Sequence, residues 1–178
     1  MSKDLVSEIL EDHKIINKLW TRYESESDNN ERQKIANTII REISVHSVCE
    51  EINFYPLLEK HLQNGSEMAD HSRDEHLQVK KDLAKLDSMK ITDEGYTLLI
   101  KKVMNELMSH IEEEEKDILP KFKENVSAEI LNDGGEKYVS TRKVAPTHPH
   151  PHAPDKPPAE TAAGMAALPV DKTRDLAR

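Results

Sequence analysis

Four histidines and two glutamates recur at matched intervals, and their side chains are of the kind that ligate first-row metal ions. Asp12-His13 returns as Glu75-His76, and the segment His46 to Pro56 returns as His110 to Pro120. In the second pair the histidine, both glutamates (Glu50-Glu51 and Glu114-Glu115) and the proline match position for position. Each half of the repeat therefore carries one histidine on a first segment and H-x-x-x-E on a second. Imidazole and carboxylate without thiolate suit iron, manganese or zinc rather than copper(I) or an iron–sulfur cluster. Two carboxylates entering from opposite sides, Glu50 and Glu114, can each bridge two ions. Repeat symmetry then assigns His13 and His46 to one metal, and His76 and His110 to the other. Without metal, burying such carboxylates would be costly.

Such a cluster needs rigid elements to converge on, and the first 140 residues read as four helices. Apolar residues recur at helical spacing, and no stretch alternates as a strand would. The expected helices run from about Lys3 to Ser25, Asn30 to Gln63, Ser66 to Met89, and from just after Gly95 to Lys123. Pro56 is expected to kink the second or end its regular part. Short connections predict an all-α, antiparallel up-down-up-down four-helix bundle. Positions four apart lie roughly 40° from each other around a helix. His13 thus shares a face with Val6, Ile9, Ile16 and Trp20, and His46 with Ile35, Ile39, Ile43 and Cys49. His76 falls with Ala69, Ser72, Val79 and Leu83, and His110 with Leu99, Val103, Leu107 and Glu114. Each histidine sits inside a stripe that should be core.

Neighbouring residues are weighed by the same angles. Glu51 and Glu115 lie roughly 140° from His46 and His110 and are expected on a solvated flank. Glu42 and Glu106 stand one turn before those histidines, where they either hold an imidazole N–H or sit on the surface. His71 is five residues before His76 and would reach the site only through a π-bulge or an irregular helix start. Cys49 is expected as a buried, inert thiol. His61 is expected near a helix end in water.

Composition bounds the rest. Seven of nine prolines follow residue 145, and residues 141–178 carry a net charge of +2 within a chain of −9. The reading is a folded block over 1–138, closed by Gly134-Gly135, and a flexible Pro/His/Ala-rich tail over 139–178. In that tail, His148-Pro149-His150-Pro151-His152 reads as a polyproline-like spacer ahead of a metal-capture tract. The stretch from Ala159 to Leu176 could form a weak helix, and a protein partner for the tail stays unassigned. Deleting residues 141–178 is expected to leave fold and site intact. The acidic balance argues against nucleic acid. No apolar run is long enough to span a bilayer. One cysteine and no signal-peptide pattern fit the cytoplasm.

Asp12-His13, His46 to Pro56, Asp74-Glu75-His76 and His110 to Pro120 together resemble the hemerythrin-like, HHE cation-binding family, over roughly residues 1–125. The resemblance implies a non-haem diiron centre, two iron ions bridged by carboxylates and by an oxo or hydroxo group. It implies His13, His46, His76 and His110 as nitrogen ligands, with Glu50 and Glu114 as bridges. Through its oxygen-carrier members it keeps Glu115 in view as a ligand, and it implies dioxygen or a similar small ligand as partner. Those carriers use H-x-x-x-H on the third helix, where this chain has Ser72, so sensing or redox handling is expected over simple carriage. The alternatives are a diiron enzyme that degrades peroxide or nitric oxide, and an iron-storage protein. No Glu stands three residues before a bundle histidine (those positions are Leu10, Ile43, Met68, Arg73 and Leu107), unlike carboxylate-rich ferritin-like oxidases. A binding role is therefore favoured over an enzymatic one.

Overall fold

The computed structural model describes residues 3–154, 156, 166–167 and 170–175, and among them it contains helices and no strand. Four long helices carry the repeat: α1 (Leu5–Ser25), α2 (Asn29–Asn53), α4 (Gly65–Asp87) and α5 (Tyr96–Glu113). The short α3 (Tyr55–His61), a π-helical turn (Glu114–Ile118), α6 (Leu119–Asn125) and α7 (Ala128–Arg142) complete them. Local chemistry sets the starts. Asp4 caps α1 by accepting from the Ser7 amide at 2.9 Å, and Asp28 caps α2 by accepting from Glu31 at 2.9 Å. Gly95 turns the chain into α5 with φ at 83°, a conformation glycine adopts without a Cβ clash.

The two prolines of the repeat both deform the helices that carry its H-x-x-x-E segments. Proline lacks an N–H and its ring crowds the carbonyl four residues back. Before Pro56 the chain breaks at Phe54, separating α2 from α3. Before Pro120 the helix widens instead, and the Leu119 amide reaches back five residues to the Glu114 carbonyl.

Buried apolar side chains form two clusters, and the polar repeat residues lie between them. One holds Leu5, Ile9, Val48, Phe54, Leu58, Ile118 and Phe122; the other holds Ile16, Ile39, Ile43, Val79, Leu83, Val103 and Leu107. Each of the four histidines is flanked along the chain by one cluster on one side and the other cluster on the other. Their stripe is core, as the spacing predicts, interrupted by a polar layer.

The region after residue 125 departs from the expected layout. The pair Gly134-Gly135 lies inside α7, which continues through Arg142 and packs against α1 and α2. The glycines serve close approach rather than chain termination. A Cβ on Gly135 would stand 2.2 Å from the Lys3 carbonyl oxygen, and one on Gly134 would stand 2.9 Å from Leu5 Cδ2. Tyr138 and Ala145 are buried. Beyond α7, His148 is buried with its Nδ1 2.9 Å from Asp87 Oδ2, and Asp171 accepts from the Thr147 amide at 3.0 Å. His150 lies 3.1 Å from Asp171, so these two tail histidines are engaged by carboxylates. Residues 170–175 are helical. Most of the stretch from Ala159 to Leu176, where a weak helix was considered, lies outside the described residues. No helix among the described residues is long and apolar enough to cross a membrane.

Candidate metal centre

His13 on α1, His46 and Glu50 on α2, His76 on α4, His110 on α5 and Glu114 at the π turn are all buried, at 0–2% exposure. Their Nε2 and carboxylate oxygen atoms converge. His46 Nε2 lies 3.3 Å and His76 Nε2 3.5 Å from Glu50 Oε2, while His13 Nε2 lies 3.9 Å from Glu50 Oε1. Glu114 offers Oε2 to His13 Nε2 at 3.5 Å and Oε1 to His110 Nε2 at 3.4 Å. Each carboxylate therefore reaches both histidine pairs. Two groups could each hold an ion: His13, His46, Glu50 and Glu114, and Glu50, His76 and His110.

Four atoms test whether a metal fits. His13 Nε2, His46 Nε2, Glu50 Oε1 and Glu114 Oε2 are buried and have no hydrogen-bond partner. Native interiors pair such atoms almost always. Four orphans on one centre, all of ligand type, fit a cation between them.

Charge in the cluster divides unevenly. Burial and the facing Glu114 push the Glu50 carboxyl well up. Burial works to raise Glu114 as well, but the His110 and His13 imidazoles hold it down. Burial keeps His46 low, helped by its three imidazole neighbours, and burial lowers His76 against the pull of Glu51. Burial works against His110 too, but Glu114 and Glu75 outweigh it and raise its pKa.

An outer ring of carboxylates surrounds the imidazoles and holds three of them directly. His13 Nδ1 lies 3.0 Å from Glu115, His76 Nδ1 3.0 Å from Glu51, and His110 Nδ1 2.8 Å from Glu75. His46 Nδ1 lies 4.0 Å from Asp12 and 3.5 Å from Tyr138 Oη. Holding Nδ1 fixes ring orientation and turns Nε2 inward. The ring follows the repeat: Glu75 holds the second histidine of its own hairpin directly, Asp12 stands in the matching place and reaches His46 through the Tyr138 hydroxyl, and Glu51 and Glu115 cross to the first histidine of the other hairpin. Glu51 and Glu115 are therefore not on an idle flank, and Glu51 is fully buried. The signal that could have found them is their match in the repeat. Glu42 and Glu106 pair instead with Arg142 and Lys102, away from the imidazoles.

Two further residues bear on the site. Tyr55 follows the break in α2 and is buried, with its hydroxyl donating to Glu50 Oε2 at 3.2 Å and lying 3.2 Å from His76 Nε2. The Arg73 guanidinium sits 5.5 Å over its ring and donates to Glu59 at 2.6 Å. Composition gave no reason to single out Tyr55; its place one residue before Pro56, beside a ligand-bearing turn, was the available signal. His71 stays outside. Helix α4 is regular there, with no π-bulge, and the His71 side chain is 56% exposed. Cys49 is buried and in no disulfide, and His61 ends α3.

With this geometry established, comparison with known proteins adds three findings. Residues 4–122 match the model of the hemerythrin HHE cation binding domain. A hemerythrin-like protein of Schizosaccharomyces pombe is 38% identical over 169 residues, covering 94% of this chain and 83% of its own. The crystal structure of a hemerythrin HHE cation binding domain-containing protein from Mycobacterium kansasii superposes with a TM-score of 0.67 at 24% identity, covering 79% of this chain and 85% of that one. The last likeness is one of fold.

Proposed function

The chain belongs to the hemerythrin HHE cation-binding family, and on that premise we propose that it holds two iron ions and reacts with dioxygen or a related small ligand, in sensing or redox handling rather than reversible carriage. The four long helices are read as an up-down-up-down bundle around that centre. The observation that carries the proposal is the set of four buried, unpartnered ligand atoms, together with two carboxylates that each face both histidine pairs. His13 and His46 would hold one ion, His76 and His110 the other, and Glu50 and Glu114 would bridge them. When bound, the iron pair supplies the change of oxidation state and an open coordination position.

The chain's own residues shape what happens at that position. The Tyr55 hydroxyl lies on the His76 side of the cluster, where a fifth histidine would otherwise be expected and Ser72 stands instead. The phenol donates its one proton to Glu50, and a small ligand bound there would compete with Glu50 for it. The apolar clusters above and below keep water from the cluster. A proton donor beside an oxygen-derived ligand favours turnover or release in altered form over return unchanged, which also keeps a peroxide- or nitric-oxide-degrading enzyme as second reading. Metal analysis with visible absorption, on protein handled without and then with air, tests the proposal. Two irons per chain and a spectrum that changes once on aeration support it. One ion per chain, or a colour that cycles with repeated deoxygenation, overturns it.

A further inference from the structure

A third cluster of metal-ligating side chains lies outside the buried centre. His71 Nε2 stands 3.7 Å from Glu75 Oε1 on its own helix and 3.7 Å from Glu113 Oε2 on the neighbouring α5. One ligand atom from each of the three lies within 4.8 Å of the other two. The separations are too long for hydrogen bonds, though within ion-pair reach of a protonated imidazole. They also suit co-ligands, since donor atoms around a tetrahedral ion at the usual bond length stand roughly 3.4 Å apart. The trio is open to water, with side-chain exposures of 56%, 33% and 48%. Its imidazole and two carboxylates suit the same first-row divalent ions as the interior.

Its placement ties it to the interior. Glu75 uses its other oxygen, Oε2, to hold His110 Nδ1 at 2.8 Å. Glu75 precedes the buried His76 in sequence, and Glu113 precedes the buried Glu114. Every ligand of the centre is closed to solvent, so an ion reaches it only by local parting of helices. The trio spans α4 and α5 on the side of His76 and His110.

We propose that His71, Glu75 and Glu113 form a surface divalent-cation site, distinct from the buried centre, that captures iron(II) and passes it inward between α4 and α5. The binding half stands by itself; the delivery half rests on the diiron reading above. No oxidation is involved in the transfer, and the ion exchanges water and surface ligands for buried ones.

The test uses the full chain and the variants His71→Ala and Glu113→Gln, which leave Glu75 in place to hold His110. Titration with manganese(II), followed by the electron paramagnetic resonance of the free ion, counts weakly held ions. The proposal expects one weak site in the parent chain that both variants lose; equal counts in all three overturn it. Iron(II) uptake by metal-freed protein, followed by absorbance, reads delivery. Both variants should load about tenfold more slowly at low iron, the lower end of what a charged cleft adds to an association rate, and reach the same final iron content. Equal loading rates overturn delivery even where the weak site is lost. A protein that loads no iron in any form sinks the diiron reading and delivery with it, while the manganese count still decides the surface site.

Discussion

His46 and His110 occupy the same place in the two repeats, yet what stands behind them differs. Behind His46, Asp12 is buried and neutralised by Arg142, with Tyr138 donating to the same carboxylate at 2.9 Å. Behind His110, Glu75 is one-third exposed and pairs with no lysine or arginine among the described residues. The other two histidines repeat the contrast. Glu51, behind His76, is buried against Lys80, whereas Glu115, behind His13, is 41% exposed. The first repeat thus supplies sealed, cation-paired outer carboxylates, and the second supplies water-facing ones. The inner ligands are matched across the repeat; the ring that aims them is not. A buried carboxylate must be paired to be tolerated, and a hydrated one need not be.

The largest effect should come from removing the two cations. Lys80→Met leaves Glu51 buried without its cation, and Arg142→Leu does the same to Asp12. Each should cost about 3 kcal/mol in urea unfolding, the usual penalty for breaking a buried pair from one side. Deleting residues 141–178 removes Arg142 and should cost as much, contrary to the expectation that this segment is dispensable. Deletion from residue 144 spares Arg142 and should cost far less. Equal stability of the two truncations would show that the first repeat's seal does not matter.

The sequence made the inner ligands legible because each is a polar residue inside an apolar helical stripe, and because all of them recur. It left the outer ring obscure for a physical reason. Angles measured on one helix say which side a residue faces, but not what a neighbouring helix brings to that side. Glu51 lies off the His46 stripe and meets His76 of α4; Glu115 sits in a π turn that changes the angle per residue. Tyr55 was missed because its repeat partner is Leu119, so the match that exposed the histidines says nothing about it. The Gly134-Gly135 pair carries an ambiguous signal, since lack of a side chain serves a helix end and a close helix contact equally.

Metal affinity should rank next. Asp12→Asn and Glu51→Gln weaken the carboxylate behind His46 and His76 where no water can take its place. Each should lower metal affinity about 10- to 100-fold, measured by competition with a chelator. Gly135→Ala approaches the same sealed side from α7. Its new methyl meets the Lys3 carbonyl, and shifting α7 from α1 should cost about 1–3 kcal/mol in thermal unfolding. A neutral Gly135→Ala would mean that α7 can slide without loosening Tyr138 and Arg142.

The smallest effect is expected at Glu115→Gln, and it bears most directly on the comparison. Glu115 has the same geometry toward His13 that Glu51 has toward His76, with 3.0 Å contacts in both. If proximity alone set the value of an outer carboxylate, the two glutamine variants would behave alike. Exposure argues otherwise. Water can reach His13 Nδ1 once the carboxylate is weakened, and an amide oxygen can still accept the same N–H. The charge that glutamine removes was already screened by solvent at Glu115, but not at Glu51. Glu115→Gln should therefore change chelator-measured affinity by less than about tenfold, below the range for sealed outer carboxylates. A loss as large as that of Glu51→Gln would show that the π turn shields Glu115 when metal is bound, and that both repeats are sealed alike in the loaded protein.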